Sequence, residues 1–523
     1  MPVNVVGAGL AGLSAALCLA EAGTRVNLIS AQASERAQSV LAEGGINGAL
    51  NTMGEGDRVE DHFADTIKAG VYLGNEEAIR GMTEAAPDII RKLAAMGVPF
   101  HTRDQVILQR NFGGQKKKRT AYARSSTGKI LMTAMIEQVR KYQVQGLVRV
   151  FDHHEFVTLK IQDKTCQGLY IRDTYKNRFL YMEGPTLMAV GGMAGLFPGK
   201  TTGSLTNSGY VQARLLRQGV NLGNLEMIQY HPTTMQISGK SCLVSEAARG
   251  EGARLCVERQ GKLWYFMEEK YPELGNLMPR DVVAREEFFV ARDPACGRQI
   301  YLDFRQLPDR TWREKIPDMR EEIIHYFGLD PKKDLIPVEP GIHYFMGGIH
   351  VDRDHKTNLT GLLAAGECCD LYHGANRLGG NSLLGAIYGG QVAARTALSL
   401  AWEEEDREPV EVESVTYEPA REDLVKRIGE ILFSALGIVR CQEELEEALG
   451  QLEALRTQAV GQGDFDRIGL AEAMVESALL RRESRGAHYR QDYPDLAEDM
   501  KRQTLVFGGE ELAFGFEEKN TGN

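Results

Sequence analysis

The first thirty residues constrain this chain more than any other stretch. An apolar run, Val3-Asn-Val-Val6, enters a glycine turn and continues into an alanine- and leucine-rich segment long enough for a helix of about 12 residues. A second apolar run then closes at Ser30. Strand, helix and strand in this order make the βαβ unit of a dinucleotide-binding fold. Gly7, Gly9 and Gly12 stand in G-x-G-x-x-G spacing. The first allows the turn, the second admits a pyrophosphate, and the third lets helix and strand pack closely. The phosphates then meet the N-terminus of the helix. Where an acidic residue usually closes the second strand and holds a ribose hydroxyl, this chain has Ser30, so that contact is expected to differ. No Lys or Arg precedes Arg25, and glycines interrupt the apolar run, so the segment reads as structure and not as a secretion signal.

Composition supports this reading and removes others. The 523 residues suffice for three or four domains at roughly 150 residues each. Fifty-six glycines exceed the usual share of about 7%, as many tight turns and close backbone approaches require. With 72 acidic against 61 basic residues the net charge is −11, which leaves no electrostatic footprint for nucleic acid or an anionic membrane. The eight cysteines form no C-x-x-C, which excludes a metal or iron–sulfur site built on that motif and suggests a reducing compartment. No window offers about 18 uncharged apolar residues, so no membrane span is expected. The expectation is a cytoplasmic chain.

Short β-rich runs between residues 146 and 186 predict a meander inserted in the dinucleotide domain. The glycine-turn pattern returns in GLLAAGECC and GGNSLLGAIYGGQVAARTAL, so the cofactor domain is discontinuous. The fold class expected is α/β: a Rossmann-like domain from residues 1–222 and 344–402, and an α+β capping domain over 223–343. An acidic linker, 403–423, carries two prolines and no helical period. Residues 424–523 are expected to form a helical domain.

Five segments combine His, Glu and Arg with glycine in a way that packing alone does not require: His231-Pro-Thr, Ser245-Glu246-Ala-Ala-Arg249, Pro-Arg280-Asp, His343-Tyr-Phe-Met-Gly-Gly, and Asn-Arg377-Leu-Gly-Gly-Asn381-Ser382. The chain here resembles the flavoprotein subunits of succinate dehydrogenase and fumarate reductase, in the wider family that includes L-aspartate oxidase. The resemblance runs nearly end to end, through AEGGINGALNTMGEGD, FGGQKKKRTAYA, IQYHPT, SEAARGEGAR, PRDVVARE, HYFMGG, AAGEC, NRLGGNSLLGAIYGG and SRGAHYR.

The resemblance implies bound FAD and a four-carbon dicarboxylate substrate. Two buried negative charges need donors at both ends. By resemblance His231 and Ser245 hold one region of the substrate, His343 and Arg377 the other. A hydride passes between flavin N5 and one carbon, and Arg280 gives a proton to the other, with Glu246 and Arg249 relaying from solvent. Three residues apart on a helix, Glu246 and Arg249 would face one side. Glu367, Asn381 and Ser382 are implied as contacts to the flavin nucleotide, together with Gly7, Gly9, Gly12, Ser30, Gln38, Ser39, Gly44 and Gly45. No metal site is expected on the chain itself. By the same resemblance an iron–sulfur subunit relays electrons to or from a membrane anchor, which would make the chain peripheral on the cytoplasmic face. The basic residues 116–119 read either as a solvated loop or as a funnel for dianions.

Two positions decide within the family. Gln38 stands where many members carry a histidine bonded covalently to the flavin, so FAD is expected to be held noncovalently and fumarate reduction is favoured. Phe112 stands where the aspartate oxidase branch places a glutamate to meet the substrate ammonium, and an apolar ring leaves a buried ammonium unpaired. The expectation is a flavoprotein that interconverts fumarate and succinate. L-aspartate oxidation, or a related unsaturated acid taken by a flavin subunit of an electron-transfer complex, stands as the alternative.

Overall fold

A computed structural model describes residues 1–124, 126–237, 239–400 and 407–518. Its centre is a five-stranded parallel sheet in the order Leu362–Ala364, Thr186–Met188, Val3–Val6, Val26–Ser30, Val148–Asp152. The central strand Val3–Val6 is buried throughout, as a parallel sheet covered on both faces requires. Helix Leu10–Glu21 is buried on nearly every side. It packs against helix Asn381–Ser399 so closely that a Cβ on Gly390 would stand 2.3 Å from the Ala11 carbonyl oxygen. Ser14 Oγ donates to the Ile387 carbonyl across the same contact, at 2.8 Å. Segments far apart in sequence thus complete one α/β layer system.

The expected meander is present as His154–Gln162, Thr165–Asp173 and Arg178–Glu183. Its fourth strand is Val410–Val412, which lies inside the stretch read as a linker. That reading needs correction: Val410 and Val412 alternate about Glu411 along the edge of the sheet, a run too short to show a period. Residues 403–406 of the same stretch lie outside the described residues.

The cap is a six-stranded antiparallel sheet, ordered Lys240–Leu243, Ile228–Ile237, Ile336–Phe345, Cys296–Asp303, Arg254–Arg259, Lys262–Trp264. Its own core contains Leu255, Phe266, Val283, Leu302, Phe304 and Ile336. The strand Ile336–Phe345 runs past the boundary expected at residue 343. Its continuity ties the cap to the cofactor domain.

Three helices, Glu422–Ala435, Gln442–Arg456 and Gln462–Leu480, follow. They form the helical domain expected at this end, which also carries a hairpin, Thr504–Phe507 with Ala513–Phe516, that pairs with Leu222–Gly223. The partner strand is nearly 300 residues away, so no local pattern announces it. Residues 519–523 lie outside the described residues. Among the described residues no helix is long and apolar enough to cross a membrane.

Candidate functional site

The C-terminal ends of the parallel strands open into a cavity of about 650 Å³. Ligands of open α/β sheets bind at this edge. Val6, Gly7, Ser30, Ala189 and Ala365 form its floor, and the cap supplies His231, Ser245, Glu246, Arg280 and His343.

At the floor the glycines are required by contact. Gly7 has φ +113°, and a Cβ there would stand 2.1 Å from the Ala189 carbonyl oxygen. A Cβ on Gly12 would stand 1.8 Å from the Gly7 carbonyl oxygen, so Gly12 works from beneath and not from the cavity wall. Gly9 precedes helix Leu10–Glu21 and provides no side-chain cap, leaving the helix N-terminus open to an anion. Ser39 Oγ accepts from the Leu10 N–H at 3.2 Å and lines the same opening. Ser30 also lines the cavity, with its hydroxyl turned to Gln32. The Gln38 side-chain oxygen accepts from the Ser204 N–H, Gly44 and Gly45 continue the wall, and Ser382 completes it.

Glu367 reaches the cavity from a short turn after the strand Leu362–Ala364. Burial pushes its carboxyl up to about 7, against the Phe345 N–H that it accepts at 3.2 Å. Asn381 is the exception. It is fully buried, accepts from Asn47 at 2.7 Å, lies 3.0 Å from His62 Nε2, and donates to Thr66 at 3.0 Å. Its amide is committed to the fold beneath helix Asn381–Ser399 and does not line the cavity, which corrects the contact expected of it.

The cap side holds the polar cluster. His231 and His343 sit on paired strands, and a break in register beyond His231 lets their rings approach to 5.0 Å between centroids. His231 Nδ1 accepts the Thr233 N–H at 3.2 Å, which places the ring proton on Nε2. That Nε2 is buried without a partner and the residue lines the cavity. His343 Nδ1 lies 2.7 Å from the Thr202 hydroxyl. Burial, reinforced by nearby Arg280, holds both imidazoles well below the ordinary histidine value, so both are neutral at pH 7.

Glu246 is 2% exposed and bridges two arginines. Its Oε2 accepts from Arg280 Nη2 at 2.6 Å, and its Oε1 from Arg249 Nη2 and from the Gly113 N–H, each at 3.1 Å. Burial alone would raise this carboxyl, but Arg280 and Arg249 outweigh it and hold Glu246 at about 2. Arg249 stands behind Glu246, away from the cavity wall, with Nη1 on the Asn276 carbonyl at 2.6 Å.

Arg377 is 2% exposed, lies 4.3 Å from the centre of the Tyr344 ring, and has no partner at Nε. Its segment is held from outside by the SRGAHYR motif, where the Ala487 N–H donates to the Ala375 carbonyl at 2.9 Å. Phe112, 1% exposed, lines the cavity between the glycines; a Cβ on Gly44 would stand 2.7 Å from its ring.

Sequence reasoning missed Gln229 and Thr202. Gln229 takes the Arg280 Nη1 donor on its oxygen at 3.1 Å, while its amide donates to the Arg377 carbonyl at 2.8 Å, tying the two arginine segments together. Its signal was position: two residues before His231 on one strand, it falls on the same face. In the basic run, three of the four side chains are paired with acids and only Lys116 stands exposed. Lys117 pairs with Asp61 and Lys118 with Glu55, both at 2.9 Å, and buried Arg119 lies between Asp57 and Asp65 at 2.8 and 2.9 Å.

The residues present fit a flavin dinucleotide: the glycine cradle would fill if Cβ atoms were added, the helix N-terminus is open, and one cavity joins both to the polar cluster. Comparison with known proteins agrees. The family model for the FAD binding domain matches residues 3–383, and that for the fumarate reductase flavoprotein C-terminus matches 464–513. The succinate dehydrogenase flavoprotein subunit of Bacillus subtilis (strain 168) is 38% identical, covering 96% of this chain and 93% of its own length. The L-aspartate oxidase of Pyrococcus furiosus is 33% identical, covering 97% and 98%. Among solved structures, FrdA of E. coli quinol fumarate reductase superposes with a TM-score of 0.86 at 27% identity, covering 99% of this chain and 96% of that one.

Proposed function

The chain belongs to the family of succinate dehydrogenase and fumarate reductase flavoproteins and is an FAD-dependent oxidoreductase, and on that premise we propose that it interconverts fumarate and succinate, with fumarate reduction favoured. One observation carries the reading: a buried Arg377 guanidinium and a buried His231 Nε2–H, both short of partners, line one cavity with neutral His343. A buried cation without a carboxylate is costly, and a dicarboxylate satisfies it.

Arg377 grips one carboxylate with parallel N–H donors, beside His343; His231 and the Ser245 hydroxyl donate to the other region of the substrate. The neutral imidazoles serve as hydrogen-bond donors and not as acids. Bound FAD supplies hydride chemistry; residues 7–12, 38–39, 44–45, 367 and 382 would hold it. Arg280 gives the proton to the second carbon, and Glu246, fixed as a carboxylate, passes a proton from Arg249 to restore it. The cap, contributing His231, Ser245, Arg280 and His343, excludes water from the reacting carbons.

L-aspartate oxidation is the second reading, favoured by the 33% identical relative. Buried Phe112 opposes it, since its ring carries no charge to meet an ammonium and the nearby Glu246 carboxylate is already bonded to Arg280 and Arg249. By the same functional reading, an iron–sulfur subunit carries electrons between this chain and a membrane anchor, placing it on the cytoplasmic face. In support, the two family models together span most of the chain, and the solved structure reported above is a chain of a quinol fumarate reductase. The test is direct: with FAD bound, fumarate should oxidise a reduced viologen dye and L-aspartate should not reduce the flavin. A protein inert toward fumarate would overturn the reading.

A further inference from the structure

Thr202 lines the cavity together with His343, and the scheme above gives its hydroxyl no task. The two residues come from different sides of the site. Thr202 follows the strand Thr186–Met188 of the parallel sheet, whereas His343 lies on the cap strand Ile336–Phe345. A parallel bridge between Thr201 and Ile342 joins them. The Ile342 N–H donates to the Lys200 carbonyl at 3.0 Å, and the Ile342 carbonyl accepts from the Thr202 N–H at 2.9 Å and from Thr201 Oγ1 at 3.0 Å. Gly203 tightens the turn that follows: its N–H donates to Thr201 Oγ1 at 3.0 Å, and a Cβ there would stand 2.5 Å from the Ala194 Cβ. The two backbones are thus fixed to one another before the side chains meet.

The Thr202 hydroxyl lies 2.7 Å from His343 Nδ1 and has no other hydrogen-bond partner among the described residues. A hydroxyl can accept from a ring N–H or donate to a bare ring nitrogen. Were it to accept here, its own hydrogen would be left without an acceptor in the protein. The O–H therefore donates, Nδ1 is the bare nitrogen, and the one proton of the neutral ring stands on Nε2. Threonine suits this task better than serine, because its branched Cβ restricts χ1 and so limits the directions open to the hydroxyl. For an anionic ligand the choice of nitrogen matters. An ionised carboxylate only accepts hydrogen bonds, so a ring that offered it a lone pair would set two acceptors face to face.

We infer that Thr202 is a positioning residue for the substrate: its hydroxyl keeps His343 a hydrogen-bond donor at Nε2. Because the bond crosses from the cofactor side to the cap, the donor is set when the cap is seated. Thr202 acts through His343 and not on the reacting carbons. The role in substrate binding rests on the fumarate–succinate reading; the position of the ring proton does not.

The test compares FAD-loaded wild type, Thr202→Val and Thr202→Ser. Valine keeps the branched shape and removes the hydroxyl, while serine keeps the hydroxyl. In fumarate reduction by reduced viologen, Thr202→Val should lose roughly tenfold in kcat/KM, mainly through KM, and Thr202→Ser should stay within about threefold of wild type. Nitrogen-15 spectra of histidine-labelled protein, with the His343 signals identified by their loss in His343→Gln, should place the ring proton on Nε2 in wild type and in Thr202→Ser. Thr202→Val should gain a measurable share of the Nδ1–H form. The wild-type spectrum tests the inference even where a variant fails to fold. A wild-type ring proton on Nδ1 overturns it. So does an active wild type with Thr202→Val unchanged in kcat/KM, or a serine variant no better than valine. Wild type that carries the proton on Nε2 but is inert toward fumarate overturns the functional reading, and the role in substrate binding with it.

Discussion

Arg280 holds Glu246 through a single oxygen: its Nη2 and Nε both donate to Oε2, at 2.6 and 3.1 Å. The other oxygen is left for Arg249 and the Gly113 N–H. One carboxylate therefore joins two guanidinium groups, one facing the cavity and one behind it.

Arg280→Lys removes this forked geometry, since an ammonium is a point charge without planar donors. Fumarate reduction should fall by about 10²-fold or more while fumarate still binds, as for loss of a proton donor used in the transition state. Steady-state kinetics beside a fumarate titration of the bound flavin's absorbance check this. Turnover above about a tenth of wild type would give the arginine a structural role.

Glu246 also links stability to acid. Its value in the folded chain, about 2, is depressed from the ordinary 4.5, so its contribution is fully present above about 4.5 and lost as pH falls toward about 2. At roughly 1.4 kcal/mol per unit, that depression corresponds to a contribution on the order of 3 kcal/mol. Urea unfolding should show Glu246→Gln less stable than wild type at pH 7, with the gap narrowing at pH 3. An equal gap at both would remove the carboxylate from the linkage.

Arg377 should trade stability for binding. Arg377→Met replaces a buried cation short of partners with an apolar chain of similar length, so the ligand-free protein should melt higher. The same change should raise KM for fumarate by about 10²-fold or more, as loss of a charge-assisted carboxylate clamp of about 3 kcal/mol. Differential scanning fluorimetry and kinetics read the two effects separately; a KM close to wild type would remove Arg377 from the clamp.

Gln38 has no chemistry for a flavin bond: its carboxamide oxygen accepts from the Ser204 N–H. Acid precipitation should therefore release all yellow colour to the supernatant. Flavin fluorescence that stays with the denatured polypeptide band would contradict noncovalent retention.

Phe112 packs against glycines at the cavity wall, and on the proposed reading the uncharged middle of fumarate would meet it without penalty. An aspartate ammonium would meet the ring there, with Glu246 already bonded to Arg280 and Arg249, at a cost of several kcal/mol. Discrimination of about 10²-fold or more against L-aspartate is expected in assays with artificial electron carriers. Flavin reduction by L-aspartate as fast as by succinate would reverse the assignment.

The parts of this architecture that announced themselves were local. The glycine turn at residues 7–12, the meander and the cap's separate core follow from periodicity and turn chemistry within short windows. The histidine and arginine segments were legible because each pairs a charged residue with glycine or proline at fixed offsets. The strand Val410–Val412 and the final hairpin were not, because each is a few residues long and takes its register from a distant partner. Gln229 was overlooked for a related reason: only contact with both arginine segments sets it apart from any polar residue on a strand.

By itself the sequence determined the cofactor fold, the family and the residue types brought to the chemistry, since glycine spacing and motif identity are properties of the chain in one dimension. Tertiary structure decided which of those residues share the cavity. It withdrew Asn381 into the fold, set Arg249 behind Glu246, paired Lys117, Lys118 and Arg119 with acids of residues 55–65, and placed Glu287 in the cap core. The physical reason is that hydrogen-bond partners, burial and the resulting protonation states depend on what the rest of the chain packs around a side chain, and at these positions the partners come mainly from distant segments.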